Sequence, residues 1–223
     1  MSPSKKTPAT GGARHRKAVT HLKKSDPVLA EVIARVGACK AEVRGEGSHF
    51  DAVMRSIIFQ QLSGQAAGTI HRRFKELYGG ASPTPKQLAR TSDEKLRAIG
   101  LSRQKAAYLK DLAAKVLAGE CAIESLHELE DAEIIAALTA VKGIGRWTAQ
   151  MFLMFRLGRP DVLPDLDLGI QKAIKQAYGL RKHPTPERVL KIGAKWAPYR
   201  TVASWYLWRL LDTKKEVPRS STS

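Results

Sequence analysis

The sequence predicts an all-α protein of about ten helices, arranged as two lobes around a central cleft. Three observations predict it. Apolar residues recur at three- and four-residue steps through most of the chain, as in Phe50, Val53, Met54, Ile57, Ile58 and Leu62, the spacing of one buried helix face. Sustained period-two alternation is absent, and so is any repeat of solenoid length. A capping residue followed by proline, which starts a helix, occurs at Ser25-Asp26-Pro27, Thr84-Pro85 and Thr185-Pro186.

Taken in order, residues 1–24 (MSPSKKTPATGGARHRKAVTHLKK) are rich in Pro, Gly, Ser, Thr and Lys. They carry too little apolar surface to order themselves, which predicts a flexible basic arm. The folded domain is expected to span residues 25–213 and to open with the helical run VLAEVIARVG. The periodic stretch from Phe50 to Leu62 follows and is interrupted at Ser63-Gly64. A helix from Ala66 to Tyr78 comes next, with Arg72, Arg73 and Lys75 facing solvent or backbone phosphate. Thr84 and Thr185 begin short helices, and a long one runs from about Ser102 to Ala118. Asp131 to Val141 leads into Gly143-Ile144-Gly145, after which Arg146-Trp147-Thr148-Ala149 opens another apolar run. Val189–Trp196 and Arg200–Leu211 complete the set, and residues 214–223 are expected to form a disordered tail.

The chain has 223 residues, 43% of them hydrophobic, enough for a substantial core. No apolar run approaches the roughly 18 residues of a membrane span, and the N-terminus lacks a signal-peptide segment. The expectation is a monomer inside the cell, cytoplasmic and nucleoid-associated or nuclear. The net charge of +17 points to a polyanionic partner. Seven of those charges, from Lys5, Lys6, Arg14, Arg16, Lys17, Lys23 and Lys24, belong to the arm, so the body is strongly basic by itself. No long helix combines a basic face with an aromatic one, which argues against a membrane surface. Cys39 and Cys121 are too few for a disulfide framework or a four-cysteine cluster. No divalent-metal constellation, nucleotide phosphate loop or Ser/His/Asp arrangement stands out.

The stretch from Leu138 to Lys172 is the organising one. Two glycines around Ile144 let the backbone turn sharply while Ile144 packs inward, leaving amide N–H groups at the next helix's start for an anion. In a basic protein that anion is a DNA phosphate. VKGIGRWTA, followed about twenty residues on by LPDLDLGIQK, resembles the helix-hairpin-helix DNA glycosylase superfamily. FQQLSGQAA at 59–67, LRAIGLSRQKAAYL at 96–109 and KWAPYRTVASWYLW at 195–208 extend the resemblance over most of the chain after about residue 25. The alkylated-base branch, in its compact form without an N-terminal β-rich domain, is the most similar.

The resemblance implies a two-lobed helical fold in which the segment after Ser25 and the C-terminal helices share one lobe. It implies Asp167 as the catalytic carboxylate, both capping a helix and projecting into the cleft. Asp165 is the competing assignment, and Asp167 is preferred because it directly precedes Leu168-Gly169-Ile170. Trp147 and Trp208 match aromatic pocket positions for a flipped base, whereas Trp196 and Trp205 read as packing. Met151 and Leu168 stand where some relatives carry pocket tyrosines. A lysine occupies the place of Trp147 in bifunctional relatives and forms a Schiff base there, so this chain is expected to lack strand-cutting lyase chemistry.

The Gln60-Gln61-Leu62-Ser63 turn matches the minor-groove wedge. Leu62 suits it by being apolar, with Gln61 close behind. Alternatively, Leu62 merely ends the buried face of its helix. Gly143, Gly145, Lys142, Arg146 and Arg200 are candidate phosphate contacts, with a surface salt bridge as the other reading of Arg200. Carbonyls of Thr139, Val141 and Ile144 would hold a monovalent cation, and no iron–sulfur cluster or other cofactor is expected. The partner implied is double-stranded DNA containing alkylated bases such as 3-methyladenine and 7-methylguanine. A non-enzymatic hairpin DNA-binding protein and a glycosylase for a mismatched or oxidised base remain the alternatives.

Overall fold

The computed structural model describes residues 15–213, which form twelve α-helices, short 3-10 and π-helical segments and no strand. The all-α prediction holds. In order the helices are α1 (Arg16–Ser25), α2 (Pro27–Val36), α3 (His49–Phe59), α4 (Gly64–Glu76), α5 (Pro85–Arg90), α6 (Asp93–Ala98), α7 (Arg103–Leu117), α8 (Asp131–Thr139), α9 (Arg146–Phe152), α10 (Leu168–Ala177), α11 (Pro186–Gly193) and α12 (Arg200–Asp212). Two of them were not foreseen. Helix α6 has six residues and buries one apolar side chain, Leu96, too little for a periodicity to show.

Helix α1 corrects the expected arm. Residues 16–24 are helical because Ala18 and Leu22, four apart, are both buried and Val19 packs against the same core. His15 is also tied down, its Nε2 lying 2.9 Å from the carbonyl oxygen of Ala41. Composition averaged over 24 residues hid a three-residue apolar stripe. Lys23 and Lys24 sit in the last turn, where cations suit the helix dipole. Ordered structure therefore begins well before residue 25, while residues 1–14 of the arm and the 214–223 tail lie outside the described residues.

The chain divides into two compact units, one from its two ends (up to Val43, and from Gly158 on) and one from its middle (Arg44–Leu157). In the terminal unit α12 packs on α10 and α2, and α1 packs on α2. Its core gathers Leu22, Leu29, Ile33, Ile170, Ile174, Trp196, Tyr206 and Leu207. Asp26 sits fully buried in it. As the N-cap of α2 its Oδ1 accepts the Val28 and Leu29 N–H groups at 3.0 and 3.3 Å. Its Oδ2 accepts from the Tyr178 hydroxyl, from Trp196 Nε1 at 2.7 Å and from Lys195, 3.2 Å away. Burial alone would raise the Asp26 pKa, but these donors together hold it below the usual carboxylate range. Burial and the Asp26 carboxylate push the Tyr178 hydroxyl well above its ordinary value.

In the middle unit α3 packs on α4 and α7, α5 packs on α7, and α8 on α9. Phe50, Val53, Met54, Ile57 and Ile58 of α3 are buried, as their spacing predicted. Glu124 closes the start of α3 by accepting the His49 and Phe50 N–H groups, both at 3.0 Å. These bonds outweigh the upward push of burial and keep its pKa low.

Candidate active site and DNA-binding elements

The hairpin follows α8. The Val141 carbonyl accepts the Ile144 N–H at 3.1 Å, closing the turn, and Ile144 is buried beneath it. Gly143 has φ +80°, and a Cβ there would stand 2.0 Å from the Tyr108 ring, so the position requires glycine twice over. Gly145 is the N-cap of α9, and Lys142, Gly143, Gly145 and Arg146 are all exposed. The hairpin thus presents backbone and two cations outward, which is what an anion grip needs. Lys142 also lies 3.7 Å from Asp111 through its ammonium. Thr139 is the last residue of α8, so its carbonyl is among those left without a partner inside the helix.

The Gln60–Ser63 turn follows α3. The helix stops at Phe59, Gln61 adopts a left-handed φ of +55°, and Leu62 is 39% exposed. Leu62 therefore does not end the buried face of its helix, because it lies beyond the last helical turn. Ser63 caps α4 by accepting the Ala66 N–H at 3.3 Å. The result is an exposed apolar tip between two capped helices of the same unit.

Asp167 is the N-cap of α10. Its Oδ1 accepts the Ile170 N–H at 2.7 Å and the indole N–H of Trp208 at 3.0 Å. Two donors converging on one oxygen fix the plane of the carboxylate. A Cβ on Gly169 would lie 2.9 Å from that oxygen and 3.1–3.2 Å from the indole, so glycine at this site lets the tryptophan reach the acid. Asp165, the competing assignment, is 2% exposed, whereas Asp167 is half-buried between the exposed Leu166 and Leu168. A carboxylate that must meet a substrate needs the second setting.

Trp208 is half-buried against the core of the terminal unit and offers its edge to Asp167. Trp147 is the second residue of α9 and is 44% exposed, unlike a core tryptophan. Trp196 is fully buried, consistent with packing.

Arg200 is paired. Its Nε and Nη2 donate to the two carboxylate oxygens of Asp161 at 2.7 and 2.8 Å, and its backbone N–H donates to the same group at 3.3 Å. This pairing holds the Asp161 pKa below its usual value. The guanidinium is thus engaged in a partly exposed two-point pair, the salt-bridge reading that the sequence also offered for it.

Several residues escaped the sequence reading. Lys105 donates to the carbonyls of Ile58 and Gln60, Gln60 donates to the Gly143 carbonyl, and Asp111 accepts the Lys142 N–H. The signals they leave in the sequence are slight: Gln60 and Lys105 stand inside the segments 59–67 and 96–109 that carry the family resemblance, and Asp111 lies just beyond the second. Among the described residues, no three His, Cys, Asp or Glu side chains gather as a metal site would require, and no helix is long and apolar enough to cross a membrane.

The chain is similar to several known proteins. Residues 54–199 match the family described as HhH-GPD superfamily base excision DNA repair protein. DNA-3-methyladenine glycosylase 1 of Schizosaccharomyces pombe is 37% identical over 207 residues, covering 90% of this chain and 91% of its own length. A DNA-3-methyladenine glycosidase structure from Bacillus halodurans superposes with a TM-score of 0.80 at 39% identity, covering 89% of this chain and 91% of that one. A 3-methyladenine DNA glycosylase of Schizosaccharomyces pombe, solved in complex with abasic DNA, does so with a TM-score of 0.76 at 36% identity, covering 86% and 95%.

Proposed function

The chain belongs to the HhH-GPD superfamily of base excision DNA repair proteins, and on that premise we propose that it hydrolyses the N-glycosidic bond of alkylated bases in duplex DNA, leaving an abasic site. The observation that carries this reading is Asp167: a helix-capping carboxylate whose Oδ1 is pinned by a backbone amide and an indole N–H, between two exposed leucines.

Departure of the base leaves the sugar with oxocarbenium character. A carboxylate held in place stabilises that charge as it develops and can orient or deprotonate the attacking water. A base that is already cationic, such as 3-methyladenine or 7-methylguanine, leaves without a general acid, so one carboxylate suffices. The target base must first leave the stack, at a cost of a few kcal/mol that is smaller for damaged bases. Leu62, with Gln61 beside it, fills the vacated stack. The exposed face of Trp147 receives the cationic purine by an attraction of about 0.5–2 kcal/mol.

Gly143, Gly145, Lys142 and Arg146 grip the phosphate backbone. The carbonyls of Thr139, Val141 and Ile144 are the kind of donor that suits a monovalent cation, which would add positive charge beside a phosphate. With an indole at position 147 in place of an amine, no Schiff base forms and the strand stays intact. The protein acts as a monomer.

The test is base release from methylated duplex DNA, with the products read directly and after alkali. Free 3-methyladenine or 7-methylguanine, with strand breaks only after alkali, is the expected result. Breaks without alkali would overturn the reading of Trp147, and no released base would overturn the alkyl-base assignment.

A further inference from the structure

Gln61 holds a left-handed backbone in a turn whose tip is exposed apolar surface. Such a conformation persists only where neighbours over-determine it. Here the neighbours lie on α7. Lys105 extends its ammonium to the end of α3 and donates to the carbonyls of Ile58 and Gln60, both at 2.7 Å. These are the orphan carbonyls of a helix C-terminus, where a cation also meets the negative end of the dipole. Gln60 then passes the connection on, donating from Nε2 to the Gly143 carbonyl at 2.9 Å.

Three residues along α7, the Tyr108 ring lies against Gly143, so close that no side chain fits between them. Three residues further, Asp111 Oδ2 accepts the Lys142 N–H at 2.8 Å. Residues spaced by three on a helix share a side. One side of α7 therefore holds both the Gln60–Ser63 turn and the hairpin, the first through an ammonium and the second through a ring and a carboxylate.

We propose that this side of α7 is a rigid spacer that sets the wedge at a fixed distance from the phosphate grip, with Lys105 and Gln60 as positioning residues for the wedge. The inference rests on the reading of Gln61 and Leu62 as the wedge and of the hairpin as the grip. Phosphate contacts fix the register of a protein on the duplex, and a wedge must then arrive at one particular base step. A turn ordered in advance spends none of its binding free energy on ordering itself. A lysine fits the task because its ammonium has several donors and reaches two carbonyls at once. Its partial burial lowers the Lys105 pKa, yet the two carbonyl acceptors keep the donors engaged.

The experiment uses a duplex with a tetrahydrofuran abasic analogue opposite 2-aminopurine, whose fluorescence rises when it is unstacked. Binding is measured on the same duplex across a salt series. Lys105→Met keeps length and removes the donors, Lys105→Arg restores them, and Gln60→Met cuts the link to Gly143 alone. The expected result for Lys105→Met is an unchanged salt slope with an emission rise, at saturating protein, reduced about threefold or more. Gln60→Met should show a smaller loss and Lys105→Arg should recover most of the signal.

A full emission rise in Lys105→Met overturns the proposal. So does a loss matched by an equal loss of binding, which reports a damaged fold and not a misplaced wedge. Should Lys105→Met fail to fold, a full rise in Gln60→Met overturns it equally. Base release by the unaltered protein, measured in parallel, tests the glycosylase reading separately, because the unstacking signal does not depend on bond cleavage.

Discussion

The two units carry sites of different kinds. In the terminal unit the candidate chemistry is a charge, Asp167, pinned by an amide and by an indole that itself packs against the core. In the middle unit it is a set of shapes: a tight hairpin, a left-handed turn and an exposed leucine, held by side chains that bond to backbone carbonyls. Charge stabilisation of a transition state falls off when the group moves by a fraction of an ångström, so that site is built onto a buried core. A backbone grip distributes its work over several contacts. Single substitutions should therefore abolish one site and only weaken the other.

The sharpest break of this contrast is Asp167→Asn. It should lower the single-turnover rate of base release by about 10²–10³-fold or more while DNA affinity stays the same. Retained activity would remove Asp167 from the chemistry and reopen Asp165.

Asp26→Asn tests the core beneath the terminal site. Leaving buried donors without their anion should cost about 2–4 kcal/mol, read by urea unfolding at neutral pH. The Asp26 pKa is depressed in the folded protein, so its contribution is complete above the unfolded value and is lost as pH falls through the lower folded one. The stability gap between the two proteins should stay constant down to about pH 4 and close below it. A gap that widened with acid would contradict the assigned direction.

Trp208→Phe keeps an aromatic face and deletes the N–H. A drop of about tenfold in kcat with KM unchanged would mark a positioning role for the indole edge. If KM moves instead, Trp208 serves as a platform for the base and Asp167 is held well enough by Ile170. The smallest effect belongs to Arg200→Gln, which breaks a partly exposed pair worth under about 1 kcal/mol. DNA affinity and its salt slope should stay put, whereas a slope lower by about one would make Arg200 a phosphate contact.

Much of the fold and part of the candidate site's local structure were legible in the sequence. The starts of α2, α5 and α11 followed from a capping residue and a proline, and the buried face of α3 from its spacing. The hairpin was legible because two glycines close together announce a sharp turn. Asp167 was legible only in company, since by itself an Asp before a helix is a cap, and the structure makes it one. The order of α1 was hidden by the polar residues around its three apolar ones. Arg200 was ambiguous because a basic residue in a sequence does not name its partner.

By itself the sequence determined where helices start, which faces they bury, where the chain turns back and that the partner is anionic. Those signals are local or additive: a cap, a glycine or a 3.6-residue period acts within a turn or two, and charge simply accumulates. Tertiary structure alone decided that Trp208 meets Asp167 across 41 positions, that Gln60 meets Gly143 across 83, and that Trp196 meets Asp26 across 170. The physical reason is that a side-chain hydrogen bond needs two atoms within about 3 Å, and only the packing of distant helices brings such atoms together.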